Sequence, residues 1–128
     1  MREQIITGDA PTPAGAYSQA IAAGPLLCTA GVGGHDPRTG TLAGSTVEQQ
    51  TAQAMRNLRS VLAAAGLSLG DVVKVTVHLA DLPRDFAAYD AAYQQFVEPP
   101  YPARTTVGST LGPGMLVEID ALAVRPEA

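Results

Sequence analysis

Apolar residues return in two rhythms along this chain. Val47, Ala54, Met55, Leu58, Val61, Leu62 and Ala65 recur at three- and four-residue steps. Side chains so spaced share one face, which predicts an amphipathic helix over about 47–65. Ser45 and Glu48 stand at capping-box spacing before it, and Gly66 stands where a left-handed C-terminal cap belongs. A second helix is predicted over roughly 83–97. Pro83 suits its first turn; Phe86, Tyr89, Tyr93, Phe96 and Val97 make its inner stripe; Pro99, Pro100 and Pro102 forbid its continuation.

Elsewhere the period is two, the signature of strands. Over 72–80, Val73, Val75, Val77 and Leu79 alternate with Lys74, Thr76 and His78. Over 116–124, Val117, Ile119, Ala121 and Ala123 fill one face, and Leu116, Glu118, Asp120, Leu122 and Val124 fill the other. Shorter strands are predicted at 3–7, 16–22, 26–29 and 105–107, with a turn at 37–40 before the first helix. Two helices can cover only one face of such a sheet, so both are expected on one side. The other face carries Thr76 and His78 and must meet water or another subunit.

Composition sharpens this picture. The chain has 128 residues, which predicts one domain over 1–128. Charged residues make up 16%, against about 25% in an average domain, which suits a surface partly covered by another subunit. The net charge of −4 shows neither the basic footprint of a nucleic-acid binder nor a polybasic membrane patch. Cys28 is the single cysteine, so no internal disulfide or cysteine-cluster zinc site forms. No signal-peptide core precedes Pro13 and no run reaches the ~18 apolar residues of a membrane span, so a soluble cytoplasmic protein is expected.

Few residues suggest chemistry by pattern. His35 and His78 lie in no metal-ligand spacing, and Ser60 and Ser109 have no motif around them. Gly31, Gly33 and Gly34 are read as a tight or mobile loop, or as backbone amides offered to an anion. Arg104, stiffened by Pro102, is the side chain best matched to a carboxylate. Glu118 lies in an otherwise apolar strand. It either pairs with Arg104 as a structural salt bridge or sits in a cleft suited to proton transfer. Asp90, at the edge of the second helix's stripe, is a surface acid or lines a pocket. Tyr17 and Cys28 read as packed core residues.

Several of these residues form a familiar pattern. Pro102-Ala103-Arg104-Thr105, then Val107, Leu111 and Val117-Glu118-Ile119, resemble the C-terminal signature of the Rid family, the RidA/YjgF group of reactive intermediate deaminases. Ala10-Pro11 with Gly15-Ala16-Tyr17-Ser18-Gln19-Ala20 resembles its N-terminal segment. Thr29-Ala30-Gly31, Asp36-Pro37, Thr39-Gly40, Ala64-Ala65-Gly66-Leu67, Asp71-Val72-Val73-Lys74 and Asp81-Leu82 match in order and spacing.

The resemblance implies an α+β, chorismate-mutase-like fold, a mixed sheet with two helices packed on one face, and a homotrimer with ligand clefts between subunits. It implies hydrolysis of enamine/imine intermediates, of the 2-aminoacrylate/2-iminopropanoate type, to 2-oxo acids and ammonia, with no cofactor. In that chemistry Arg104 clamps the substrate carboxylate and Glu118 activates water. Gly31 and Thr106 offer backbone amides, and Tyr17 closes the cleft from a neighbouring subunit. Three positions depart from the pattern: Ala30 replaces a common serine, Thr106 a common cysteine and Asp90 an asparagine. Asp90 places a negative charge near an anionic substrate. Two alternatives follow: a relative acting on a bulkier acid, with room at Gly31, Gly33 and Gly34, or a non-catalytic trimer that binds a 2-oxo acid.

Overall fold

A computed structural model of the chain describes residues 1–126. The elements run β1 (Glu3–Ile5), β2 (Ala20–Ala23), β3 (Leu26–Thr29), α1 (Val47–Ala64), β4 (Val72–Leu79), α2 (Leu82–Gln94), β5 (Ala103–Gly108) and β6 (Val117–Val124). The strands form one sheet in the order β1-β2-β3-β6-β4-β5. Only β4 and β5 pair in parallel, joined through α2; every other pairing is antiparallel.

The helices pack on each other and on one face of the sheet. Leu58, Val61 and Leu62 of α1 and Tyr89 of α2 meet Val77, Leu79, Val117 and Ile119 of the sheet, all fully buried. Each such side chain contributes about 1.5–3 kcal/mol relative to exposure. The intervening strand residues line the open face, where Leu26 and Val124 are exposed and Leu122 is half-buried.

Local chemistry sets the helix ends. The cap of α1 is Thr46, not Ser45: Thr46 Oγ1 accepts from the Gln49 amide at 3.2 Å. Gln49 Oε1 in turn accepts from the amides of Ser45 and Thr46, at 3.1 and 3.2 Å. A glutamine that satisfies two amides wins over Glu48, which stays exposed in the first turn where its charge suits the helix dipole. At the other end Gly66 has φ +76°, and the Leu67 amide donates to the Leu62 carbonyl at 2.9 Å.

Two core expectations are corrected. Val73, which the alternation sets on the same face as Val75 and Val77, is 47% exposed. A bulge between Val72 and Lys74 turns Val72 inward instead. Cys28 is exposed because Leu27 takes the inward position, and strand side chains alternate.

Candidate functional site

Arg104 lies on β5, the edge strand, directly after the stiff Pro102-Ala103 approach. Its side chain faces α2. Phe86, Tyr89, Asp90 and Tyr93 return on that helix at three- and four-residue spacing, so they meet the guanidinium together. The Arg104 Nη1 donates to Asp90 Oδ1 at 2.6 Å, with the two side chains 24% and 27% exposed. The guanidinium carbon lies 5.8, 5.4 and 5.0 Å from the ring centres of Phe86, Tyr89 and Tyr93. Cation–π attraction at these distances favours the charged form and fixes its plane.

Charge and burial compete here. Burial opposes the Arg104 charge, but the Asp90 hydrogen bond and the neighbouring phenols and carboxylate outweigh it, so its pKa rises. Burial also pushes the Tyr93 phenol up to about 12. Tyr93 is 3% exposed and its hydroxyl has no hydrogen-bond partner. The Tyr89 hydroxyl lies 3.5 Å from that of Thr106, which shares the Arg104 side of β5. A cavity of about 390 Å³ opens beside Arg104, walled by Asp90, Tyr93, Val97, Tyr101 and Pro102.

Glu118 is elsewhere. It lies on β6 between buried Val117 and Ile119, so it points to the open face, and β4 separates β6 from β5. The anticipated Arg104–Glu118 salt bridge is therefore absent; Asp90 is the partner of Arg104. The Glu118 carboxylate rests directly over Gly31, where any Cβ would overlap it. Val32 pairs with Ile119 through two backbone hydrogen bonds, at 2.8 and 2.9 Å, and this bridge holds Gly31 beside Glu118. Across the β4–β6 ladder Glu118 faces His78, whose Nδ1 lies 2.7 Å from Ser109 Oγ. On the same face burial pushes the Asp120 carboxyl up, while His78 and Lys74 pull it down.

Gly33 and Gly34 of the glycine cluster are tightly packed, with no spare room. Gly33 and Gly34 are buried, and a Cβ would come within 2.6 Å of Met115 Cε at Gly33 and of the Gln50 carbonyl oxygen at Gly34. Two buried α1 side chains hold this region. Asn57 donates to the Gly33 and His35 carbonyls at 3.0 and 2.8 Å. Gln50 donates to Gly114 and accepts from the Leu116 amide, at 3.0 and 2.8 Å, fixing the approach to β6. Both sit on the apolar face of α1, and polar residues there were the signal the sequence reading passed over. Tyr17, expected in the core, is 52% exposed. Its hydroxyl accepts from the Ala14 amide at 3.0 Å, which ties it to its own loop.

One chain thus gathers Arg104, Asp90 and Thr106 on the helix side of the edge strand, and Glu118 and Gly31 on the open face. Among the described residues no group of three His, Cys, Asp or Glu side chains is placed to hold a metal ion. No helix among them is long and apolar enough to cross a membrane.

Residues 7–125 match the family model described as "Endoribonuclease L-PSP", nearly the whole chain. The chain belongs to the Rid family. A "RutC family protein" of Pyrococcus horikoshii is 44% identical over 126 residues, covering 98% of this chain and 99% of its own. A "2-iminobutanoate/2-iminopropanoate deaminase" of Salmonella typhimurium is 38% identical over 129 residues, covering 98% and 99%. The crystal structure of RidA from an Antarctic Psychrobacter superposes with a TM-score of 0.91 at 37% identity, covering 95% of this chain and 98% of that one. The mixed sheet with its two helices is therefore the fold of solved Rid proteins.

Proposed function

We propose that this Rid protein hydrolyses 2-imino acids, the tautomers of 2-aminoacrylate-type enamines, to 2-oxo acids and ammonia. The observation that carries this is a guanidinium fixed by three rings and a carboxylate on the wall of an open cavity. The Asp90 pair uses one terminal nitrogen and leaves further N–H donors for a substrate carboxylate. The relatives named as imine deaminases support the reaction class.

Arg104 and Glu118 face opposite sides of one sheet, so a small imino acid cannot touch both within a subunit. The complete site is therefore assembled between subunits, Arg104 from one and Glu118 with Gly31 from the next, as in the homotrimer the family resemblance implies. The open face suits that role: Leu26, Cys28 and Val124 are exposed on it together. Tyr17, exposed on its loop, is placed to close the cleft of a neighbour.

The chemistry then needs no cofactor. Arg104 holds the carboxylate and orients the imine carbon. Glu118 takes a proton from water as its oxygen attacks the carbon of the protonated imine, giving a carbinolamine. Glu118 passes that proton to nitrogen, the carbon–nitrogen bond breaks, and the hydroxyl's proton leaves with ammonia, through Glu118, as the oxygen becomes the ketone. One water is consumed for each ammonia released.

The test generates imines in situ with an amino-acid oxidase and follows ammonia and 2-oxo acid. Acceleration over spontaneous hydrolysis that is lost in Arg104→Ala is expected; no acceleration by the folded protein overturns the reading. Asp90, already on Arg104, favours one second reading, a carboxylate-binding regulatory trimer, which would bind 2-oxo acids without releasing ammonia. Endoribonuclease action, named in the family's description, has little support from a chain of net charge −4.

A further inference from the structure

We infer that the cavity beside Arg104 is a side-chain subsite that selects acids with a large aromatic substituent. The inference rests on the reading that Arg104 takes the substrate carboxylate. A carboxylate held there places its 2-carbon at the mouth of the cavity, and the substituent on that carbon must go somewhere. The segment at Gly33 and Gly34 offers no room, because even a methyl group would collide with Met115 or with the α1 backbone at Gln50. The open volume lies on the other side, past Asp90.

The volume fits more than a methyl group. The cavity measures about 390 Å³. For scale, an engineered apolar cavity of ~150 Å³ is enough to take benzene. A substituent of one carbon leaves most of this space to water, whereas a benzyl group occupies a large share of it. The walls suit a flat ring: Tyr93, Tyr101, Pro102 and Val97 present aromatic and apolar surface. Asp90 and Gln94 also border it, but they already satisfy each other, Gln94 Nε2 donating to Asp90 Oδ2 at 3.0 Å. Their polarity is thus partly spent and does not demand a charged substituent.

The experiment measures binding of pyruvate and phenylpyruvate to the purified protein by calorimetry, beside hydrolysis of the imines made from alanine and phenylalanine. Phenylpyruvate is expected to bind at least about tenfold tighter, since a single methylene in a fitted pocket already discriminates by about that factor. Val97→Trp, which fills the cavity, and Tyr101→Ala, which removes an exposed wall, should each collapse the preference. Tyr101→Ala keeps the test valid if the larger substitution fails to fold. Equal or weaker binding of phenylpyruvate, no binding of either acid, or a preference that neither variant moves overturns the subsite. The reaction fails separately: tighter phenylpyruvate binding without imine hydrolysis upholds the subsite and overturns the deaminase reading. Hydrolysis of the small imine with equal binding of the two acids does the reverse.

Discussion

Asp90 and Arg104 are joined at 2.6 Å, so the guanidinium we propose for a substrate carboxylate already holds an internal one. The two carboxylates compete for one cation and repel each other, in a site sheltered enough for the repulsion to be felt. Asp90→Asn keeps a hydrogen-bonding oxygen near Arg104 and removes the charge. Binding of 2-oxo acids should tighten about tenfold, an effect that shrinks with added salt. Calorimetry with pyruvate at two ionic strengths checks both statements. Unchanged or weaker binding would show that Asp90 orients Arg104 without opposing the ligand.

Opposite placement of Arg104 and Glu118 makes a prediction about mixtures. Arg104→Ala and Glu118→Gln subunits should each be inactive alone. Refolded together in equal amounts, they should recover about a quarter of the clefts, those that draw both intact residues from different chains. The assay is imine hydrolysis on the mixed oligomer, after confirming a mass three times 13.1 kDa. Complete inactivity of a mixture shown to contain hybrid trimers would place both residues in one subunit's site.

Gly31 should be a functional position and not a stability one. A methyl there overlaps the tip of the Glu118 side chain, which can swing away. Gly31→Ala should therefore keep the unfolding free energy within about 0.5 kcal/mol of the parent. It should cost up to about 100-fold in kcat, the scale on which small misplacements act. Urea unfolding beside steady-state kinetics separates the two. A large loss of stability with normal kcat per folded molecule would sink the idea.

Tyr93 links pH to stability. Its phenol titrates near 12 when folded, above the usual 10, because burial disfavours the phenolate. The unfolded chain loses its proton first, so the stabilisation is present below pH 10 and is lost as pH rises from 10 to 12. The full difference is about 3 kcal/mol. Tyr93→Phe also deletes a hydroxyl with no partner, so it should be at least as stable as the parent at pH 7. Unfolding free energies taken between pH 7 and 11 should fall less steeply in the variant. Parallel curves would falsify the assignment.

The periodic parts of this fold were legible, and the failures have identifiable physics. Leu58, Val61, Val77 and Ile119 were placed in the core from rhythm alone, because one buried face imposes the period directly. Val73 and Cys28 failed because a bulge or a one-residue choice of face reverses every inside–outside assignment locally. Arg104 and Glu118 stood out from their strands and the resemblance gave them roles, but sequence order could not say that β4 lies between those strands or that Asp90 reaches Arg104 from α2. The ring cluster was hidden for a different reason. Phe86, Tyr89 and Tyr93 look like ordinary core residues until the edge strand brings a cation among them. Gln50 and Asn57 were overlooked because their work is to satisfy loop carbonyls and amides, partners that no side-chain pattern displays.

The irregularity at the start of β4 bears on how the chain tolerates changes in length. Val72 pairs with Ala123 and Lys74 with Leu122, so Val73 is the residue of β4 left over between two rungs. Deleting it would join Val72 to Lys74 and restore strict alternation into Val75 and Val77. No inward side chain would be lost and no later rung would slip. Removal of any residue from Lys74 onward would instead turn the rest of the strand inside out. Position 73 is thus where this strand can absorb a deletion, a point of evolutionary slack in an otherwise fixed ladder.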